Sequence, residues 1–163
     1  MKKLLLLLMI VPMIGLGQIY KGCPSGKENI PSTQESLELE FLRVLNNARS
    51  EIGLSILRLD KDLTRACRYH SYDMSTENYY THDTQDRTGD RLIVVCKTFD
   101  RVNKFAGTNY GPQAENIFKG PTTAEAAYEG WYKSSGHKKN MFNGKFTRIG
   151  IGFVNNYWTT DFR

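Results

Sequence analysis

The chain has 163 residues, is 40% hydrophobic and 24% charged, and carries a formal net charge of +5. That length favours one domain around a single core. The charge excess is small, and no basic stripe or aromatic RNA-binding motif accompanies it, which excludes nucleic acid as a partner and leaves only weak attraction to anionic surfaces.

Residues 1–17 read as a secretory signal: Lys2-Lys3, the apolar run Leu4–Ile14, then Gly15-Leu16-Gly17, the order of charged, apolar and small regions that a signal peptidase recognises. Cleavage is expected before Gln18 and would take two lysines, lowering +5 to +3. A transmembrane anchor needs about 20 apolar residues, more than this run supplies. A lipidated Cys23 is a third reading, but Tyr20-Lys21-Gly22 is a poor lead-in for one. The expected location is therefore secreted or periplasmic, with no transmembrane anchor.

Export bears on the cysteines, because an oxidising compartment permits disulfides. Cys67 and Cys96 are one candidate pair, leaving Cys23 odd; the other reading makes Cys67 a small core residue on an apolar helical face. Connectivity cannot be deduced from sequence alone, so both stay open.

Residues 18–34 read as a linker of Gly, Pro, Ser and Lys with little periodicity. Ser32 and Glu35 form a capping box before a helix whose stripe is Leu37, Phe41, Val44, Leu45, Ala48 and Ile52, with Gly53 as its stop. Asp60 is the expected N-cap of a second helix striped by Leu63, Ala66, Cys67, His70 and Met74. Residues 78–90 are polar and turn-rich, and the run 91–99 reads as either strand or helix. Residues 107–111 read as loop. Thr122 and Glu125 form a second capping box, before a helix presenting Ala124, Ala127, Tyr128 and Trp131. At the end, Ile149, Ile151 and Phe153 alternate with Arg148, Gly150 and Gly152; Asn155-Asn156 is a turn, and 157–162 is rich in strand formers. That is a β-hairpin, so the chain reads as α+β.

The residues with chemical potential are two imidazoles and a carboxylate in separate segments: His82 in Thr81-His82-Asp83, Glu115 in Ala114-Glu115-Asn116-Ile117, and His137 in Ser135-Gly136-His137. Two His and a Glu are the minimum for holding a divalent metal or moving a proton near neutral pH. The wording of these segments, together with Leu45-Asn46-Asn47-Ala48-Arg49 and Gly53-Leu54, Ala66–Met74, Trp131–His137 and Phe146–Phe153, resembles the CAP superfamily. That superfamily is named for cysteine-rich secretory proteins, antigen 5 and plant pathogenesis-related proteins, and the likeness is to its compact bacterial members. Five segments in order make the resemblance specific, over about residues 37–163.

The resemblance implies a small antiparallel sheet between helix layers, an α-β-α sandwich over residues 35–163. It also implies a cleft lined by two His and two acids, sometimes occupied by a divalent metal such as zinc. On this chain His82, Glu115 and His137 match three of the four. The second acid is missing: its position holds Ser134. Glu129 lies five residues earlier, about 140° away around a helix, and does not substitute simply. His82 and His137 are the expected metal ligands, with Glu115 as a third ligand or as an acceptor behind them.

The functional expectation is a binding cleft for a divalent metal, a lipid or sterol-like molecule, or a cell-envelope component. The alternatives are a hydrolase, such as a peptidase, using His82, Glu115 and His137 as its catalytic groups, and an interaction module in which the cluster only organises loops. Ser134 and Ser135 lack a nucleophile-elbow motif and read as helix-end residues. His70 and Trp131 read as core, and Lys138-Lys139 as a solvated face.

Overall fold

The computed structural model describes residues 19–107 and 113–163. The leader reading of 1–17, with its cleavage before Gln18, lies outside the described residues, as does most of the loop read at 107–111. The elements are α1 (Glu35–Glu51), β1 (Arg58–Leu59), α2 (Lys61–Glu77), β2 (Thr84–Thr88), β3 (Arg91–Cys96), α3 (Thr98–Ala106), β4 (Ala114–Lys119), α4 (Ala124–Lys133), α5 (Ser135–Met141), β5 (Arg148–Val154) and β6 (Tyr157–Phe162).

The hairpin β5–β6 is the centre of the molecule. Its turn places Asn155 and Asn156 at φ 49° and 65°, the left-handed pair of the turn that matches strand twist and that Asn tolerates. The main sheet runs β1-β5-β6-β4. Its three long strands are antiparallel, and β1 adds a two-residue parallel edge beside β5. Period-2 alternation then separates the two faces of β5. Ile149, Ile151 and Phe153 face Phe41 and Leu45 of α1, Ala127 and Trp131 of α4, and Trp158 of β6, in one buried cluster. The alternate positions are glycines because α2 lies directly on the strand. A Cβ at Gly150 would stand 2.3 Å from the Leu63 carbonyl carbon, and one at Gly152 the same distance from the Arg68 nitrogen. The result is the expected sandwich, with α2 and α3 on one side of the sheet and α1 and α4 on the other.

The helix starts differ in detail from the expectation. Asp60 caps α2 as read, accepting the N–H groups of Asp62 and Leu63. The second cap is Thr123 rather than Thr122 and accepts the N–H of Ala126. The Ser32–Glu35 box does not form: Gln34 is the N-cap of α1, and Ser32 Oγ accepts the N–H of Gln34 instead. Within residues 78–90 the strand β2 was hidden by polar composition, because it pairs only with β3 in a second, two-stranded sheet. The run 91–99 resolves into strand β3 and the start of α3. Helix α3 is only nine residues long, too short for periodicity to declare it.

Two expectations are corrected. Residues 19–34 are not a free linker. Ile30 is buried with Ala66, Tyr69, Phe105 and Val154, Arg65 donates to the carbonyls of Gly26 and Glu28, and the Gly26 backbone lies against the Lys104 carbonyl. The segment is a strap across α2 and α3. The strap also carries the disulfide, which joins Cys23 to Cys96 and not Cys67 to Cys96. Cys67 faces the sheet from α2 and is buried as a free thiol, the core reading left open above. No helix among the described residues is long and apolar enough to cross a membrane.

Candidate functional site

Strand β4 is the outer strand of the main sheet, and the polar cluster is built around it. An outer strand leaves alternate backbone groups unpaired, and here side chains cap them. Tyr80 Oη and Trp131 Nε1 both donate to the Ile117 carbonyl, and Asn140 Nδ2 reaches the Glu115 carbonyl at 3.5 Å. Glu115 and Asn116 are successive strand residues and so take opposite faces. Glu115 goes to the α2 side. Asn116 goes to the α5 side, donating to the His137 carbonyl at 3.2 Å and accepting from Asn140 at 2.8 Å.

His82 stands in the turn before β2, held from three directions. His70 Nε2 donates to the Thr81 carbonyl at 3.0 Å. Arg101 Nη1 donates to the His82 carbonyl at 2.7 Å. Asp83 accepts the N–H and hydroxyl of Thr98, tying the turn to the start of α3. His70 is thus a buried, neutral core residue that fixes the turn carrying His82; burial, then the Arg101 charge, hold it down at about 3.

The His82 side chain is 50% exposed and that of Glu115 only 1%. Nδ1 of His82 lies 2.9 Å from Glu115 Oε1. Glu115 Oε2 is occupied by Nη2 of Arg101, whose side chain is fully buried. Burial pushes the Glu115 carboxyl up, but the Arg101 guanidinium and the His82 ring outweigh it, and it titrates at about 2. An ionised carboxylate can only accept, so His82 donates through Nδ1–H, and in the neutral ring Nε2 then carries the lone pair. His137 belongs to the α5 side, and burial, then the His82 ring, hold it below the ordinary imidazole value. The structure thus brings His82 and Glu115 into contact, while His137 is tied to the same strand through its carbonyl and Asn116.

Two residues of this cluster were not singled out in the sequence. Arg101 lies on the unread helix α3. Asp161 faces Glu115 across the β4–β6 register and accepts from the Cys67 thiol at 3.2 Å. Burial, then the Glu115 charge, push the Asp161 carboxyl well above the usual carboxylate range, so it is the neutral member of a buried carboxyl pair. The alternation of β6 was the one signal available: it puts Asp161 on the α2 face.

The other residues weighed above have structural roles. Ser134 ends α4 and precedes α5, and among the described residues no hydrogen bond joins His137 to Ser134 or Ser135. Glu129 is exposed on α4. Trp131 is buried in the core. Lys138 lies over the Tyr132 ring, 3.7 Å from its centroid. Within the family-like wording, Asn46 bonds both the N–H and the carbonyl of Leu57. Arg49 is buried and donates to the carbonyls of Ser55, Met141, Asn143 and Phe146.

The divalent metal implied by the resemblance does not fit this donor set as a three-ligand site. Both Glu115 oxygens are engaged, one of them by a fixed cation. Among the described residues no group of three His, Cys, Asp or Glu stands close enough to hold a metal ion.

A three-layer sandwich with a His82–Glu115 pair at its outer strand β4 defines the class, and sequence comparison agrees. The model of the cysteine-rich secretory protein family, CAP, matches residues 42–162. The chain belongs to this family. It is 34% identical over 134 residues to the uncharacterized protein YkwD of Bacillus subtilis strain 168, covering 81% of this chain and 49% of that one. It is 31% identical over 148 residues to the uncharacterized membrane protein YlbC of the same organism, covering 90% and 40%. The chain therefore spans half or less of the length of these curated relatives. An extracellular protein containing an SCP domain from Bacillus anthracis superposes with a TM-score of 0.70 at 27% identity, over 78% of this chain and 40% of that one. An outer surface protein of Borrelia burgdorferi matches the fold with a TM-score of 0.66 at 16% identity, over 81% and 94%.

Proposed function

We propose that this protein works outside the cytoplasm as a binding protein, with a ligand site at His82, Glu115 and His137. The observation that carries the reading is the half-exposed His82 ring. Its Nδ1 is locked to a buried carboxylate, so in the neutral ring the remaining nitrogen is offered to a ligand as a fixed acceptor. Such a pair suits a ligand that donates hydrogen bonds from hydroxyl or amide groups, as cell-envelope components do. The Cys23–Cys96 disulfide fits an oxidising compartment, as does the likeness to the extracellular Bacillus anthracis protein.

Hydrolysis has less to support it. Glu115 is too strongly ionised and too fully engaged to exchange a proton near neutral pH, and no serine is paired with His137. The test is co-sedimentation of wild type, His82→Ala and His137→Ala with isolated bacterial cell-wall material and with phospholipid vesicles. Retention lost at least tenfold in both variants, with no soluble product released, is the expected outcome. Equal retention by all three proteins would move the site elsewhere. Product release that vanishes in His137→Ala would make the protein a hydrolase.

A further inference from the structure

Behind the His82–Glu115 pair stands a guanidinium that no local sequence pattern announces. Arg101 is fully buried, and so is the carboxylate it meets. A buried ion pair costs desolvation on both partners and persists where further hydrogen bonds are satisfied. Arg101 uses both terminal nitrogens, donating to Glu115 Oε2, to the His82 carbonyl and to Thr84 Oγ1, and leaves only its buried Nε without a partner. One planar cation therefore grips the carboxylate that orients the His82 ring, the backbone that carries it, and the strand that follows. A divalent ion in such a site would neutralise the acid and fix the geometry around it. Arg101 meets both needs from within the chain, and it leaves Glu115 no oxygen for a metal.

We propose that Arg101 is the resident cation of this cleft, a positioning residue that balances Glu115 and orients His82 in place of a divalent ion, so that the site binds its ligand without metal. The proposal rests on the reading of the cleft as a binding site, but its test does not depend on knowing the ligand. Lysine would carry the charge but not the flat fork that reaches three acceptors in fixed directions.

The experiment uses chelator-treated full-length protein and zinc alone as the probe, followed by calorimetric titration and by the thermal midpoint with and without zinc. Wild type should show no saturable uptake, with heats matching those of a His82→Ala/His137→Ala double variant, and its midpoint should not move. Arg101→Met frees Glu115; its midpoint should fall, and zinc should restore part of the loss. In Arg101→Met/Glu115→Gln, which removes the charge with its partner, zinc should have no effect. Arg101→Lys should melt between wild type and Arg101→Met and also ignore zinc. One zinc per wild-type chain, lost in the double histidine variant, would overturn the proposal while leaving the cleft as a binding site. Zinc failing to stabilise a folded Arg101→Met would overturn it too. Should Arg101→Met not fold, the wild-type and Arg101→Met/Glu115→Gln titrations decide alone, a zinc response in either one refuting the assignment.

Discussion

At the scale of single residues, the cluster around Glu115 is a set of groups held away from their ordinary protonation behaviour, and this makes stability depend on pH with a definite sign. Glu115 titrates at about 2 in the folded protein, below its ordinary 4.5, so its contribution is complete above about 4.5 and is lost as pH falls towards 2. His70 titrates at about 3 against an ordinary 6.5. The unfolded chain binds that proton first, so acidification from 6.5 downward destabilises the fold. Both act in one direction, and His70→Gln should flatten the fall in thermal midpoint between pH 6.5 and 4. Asp161 has the opposite sign. Its folded value lies far above 3.8, so the folded form keeps a proton that the unfolded chain releases, and stability is lost as pH rises above about 4. Asp161→Asn keeps the shape and removes that term. It should raise the midpoint at pH 8 more than at pH 4, and an equal change at both values would show that Asp161 is not the neutral partner. Glu115→Leu should cost about 3–5 kcal/mol in urea unfolding, because it strands the buried Arg101 charge.

At the scale of elements, two contacts decide how the layers meet. The first is α2 on β5, where the helix backbone occupies the space a Cβ would need at Gly150 and Gly152. Gly152→Ala should destabilise by about 1–3 kcal/mol or more in urea unfolding, since the clash is with backbone and cannot be relieved by a rotamer change. Gly136→Ala, with open space around its Cβ position, should change stability by less than about 0.5 kcal/mol. The second contact is the strap over α2 and α3, closed by Cys23–Cys96 across 73 residues of sequence. Non-reducing peptide mapping should recover those two cysteines in one fragment. Cys23→Ser should cost about 2–4 kcal/mol through the freed unfolded chain.

At the scale of the whole molecule, the expected leader and the strap meet the same requirement. The Cys23–Cys96 disulfide and the proposed envelope ligand both call for export, and N-terminal sequencing of the exported form is expected to begin at or near Gln18. Recovery of a chain starting at Met1 would contradict this. The disulfide also bears on lipidation, because a Cys23 sulfur bonded to Cys96 cannot carry a thioether to lipid.

What the sequence determined by itself was whatever repeats with a local period or follows from a single side chain's chemistry. The α1, α2 and α4 stripes, the Asp60 cap, the Asn155-Asn156 turn and the glycine alternation of β5 were legible because each is written within a few neighbouring residues. The family wording added His82, Glu115 and His137 as candidates. Only the tertiary structure decided their surroundings. Arg101 reaches Glu115 from a helix too short to announce itself, and Asp161 faces Glu115 through a strand register. Cys23 reaches Cys96 because Ile30 and Gly26 lay the strap across the α2–α3 surface. These are pairings between residues distant in the chain, set by which layers pack together. A carboxylate's charge, a thiol's partner and the donors left for a metal all follow from those pairings.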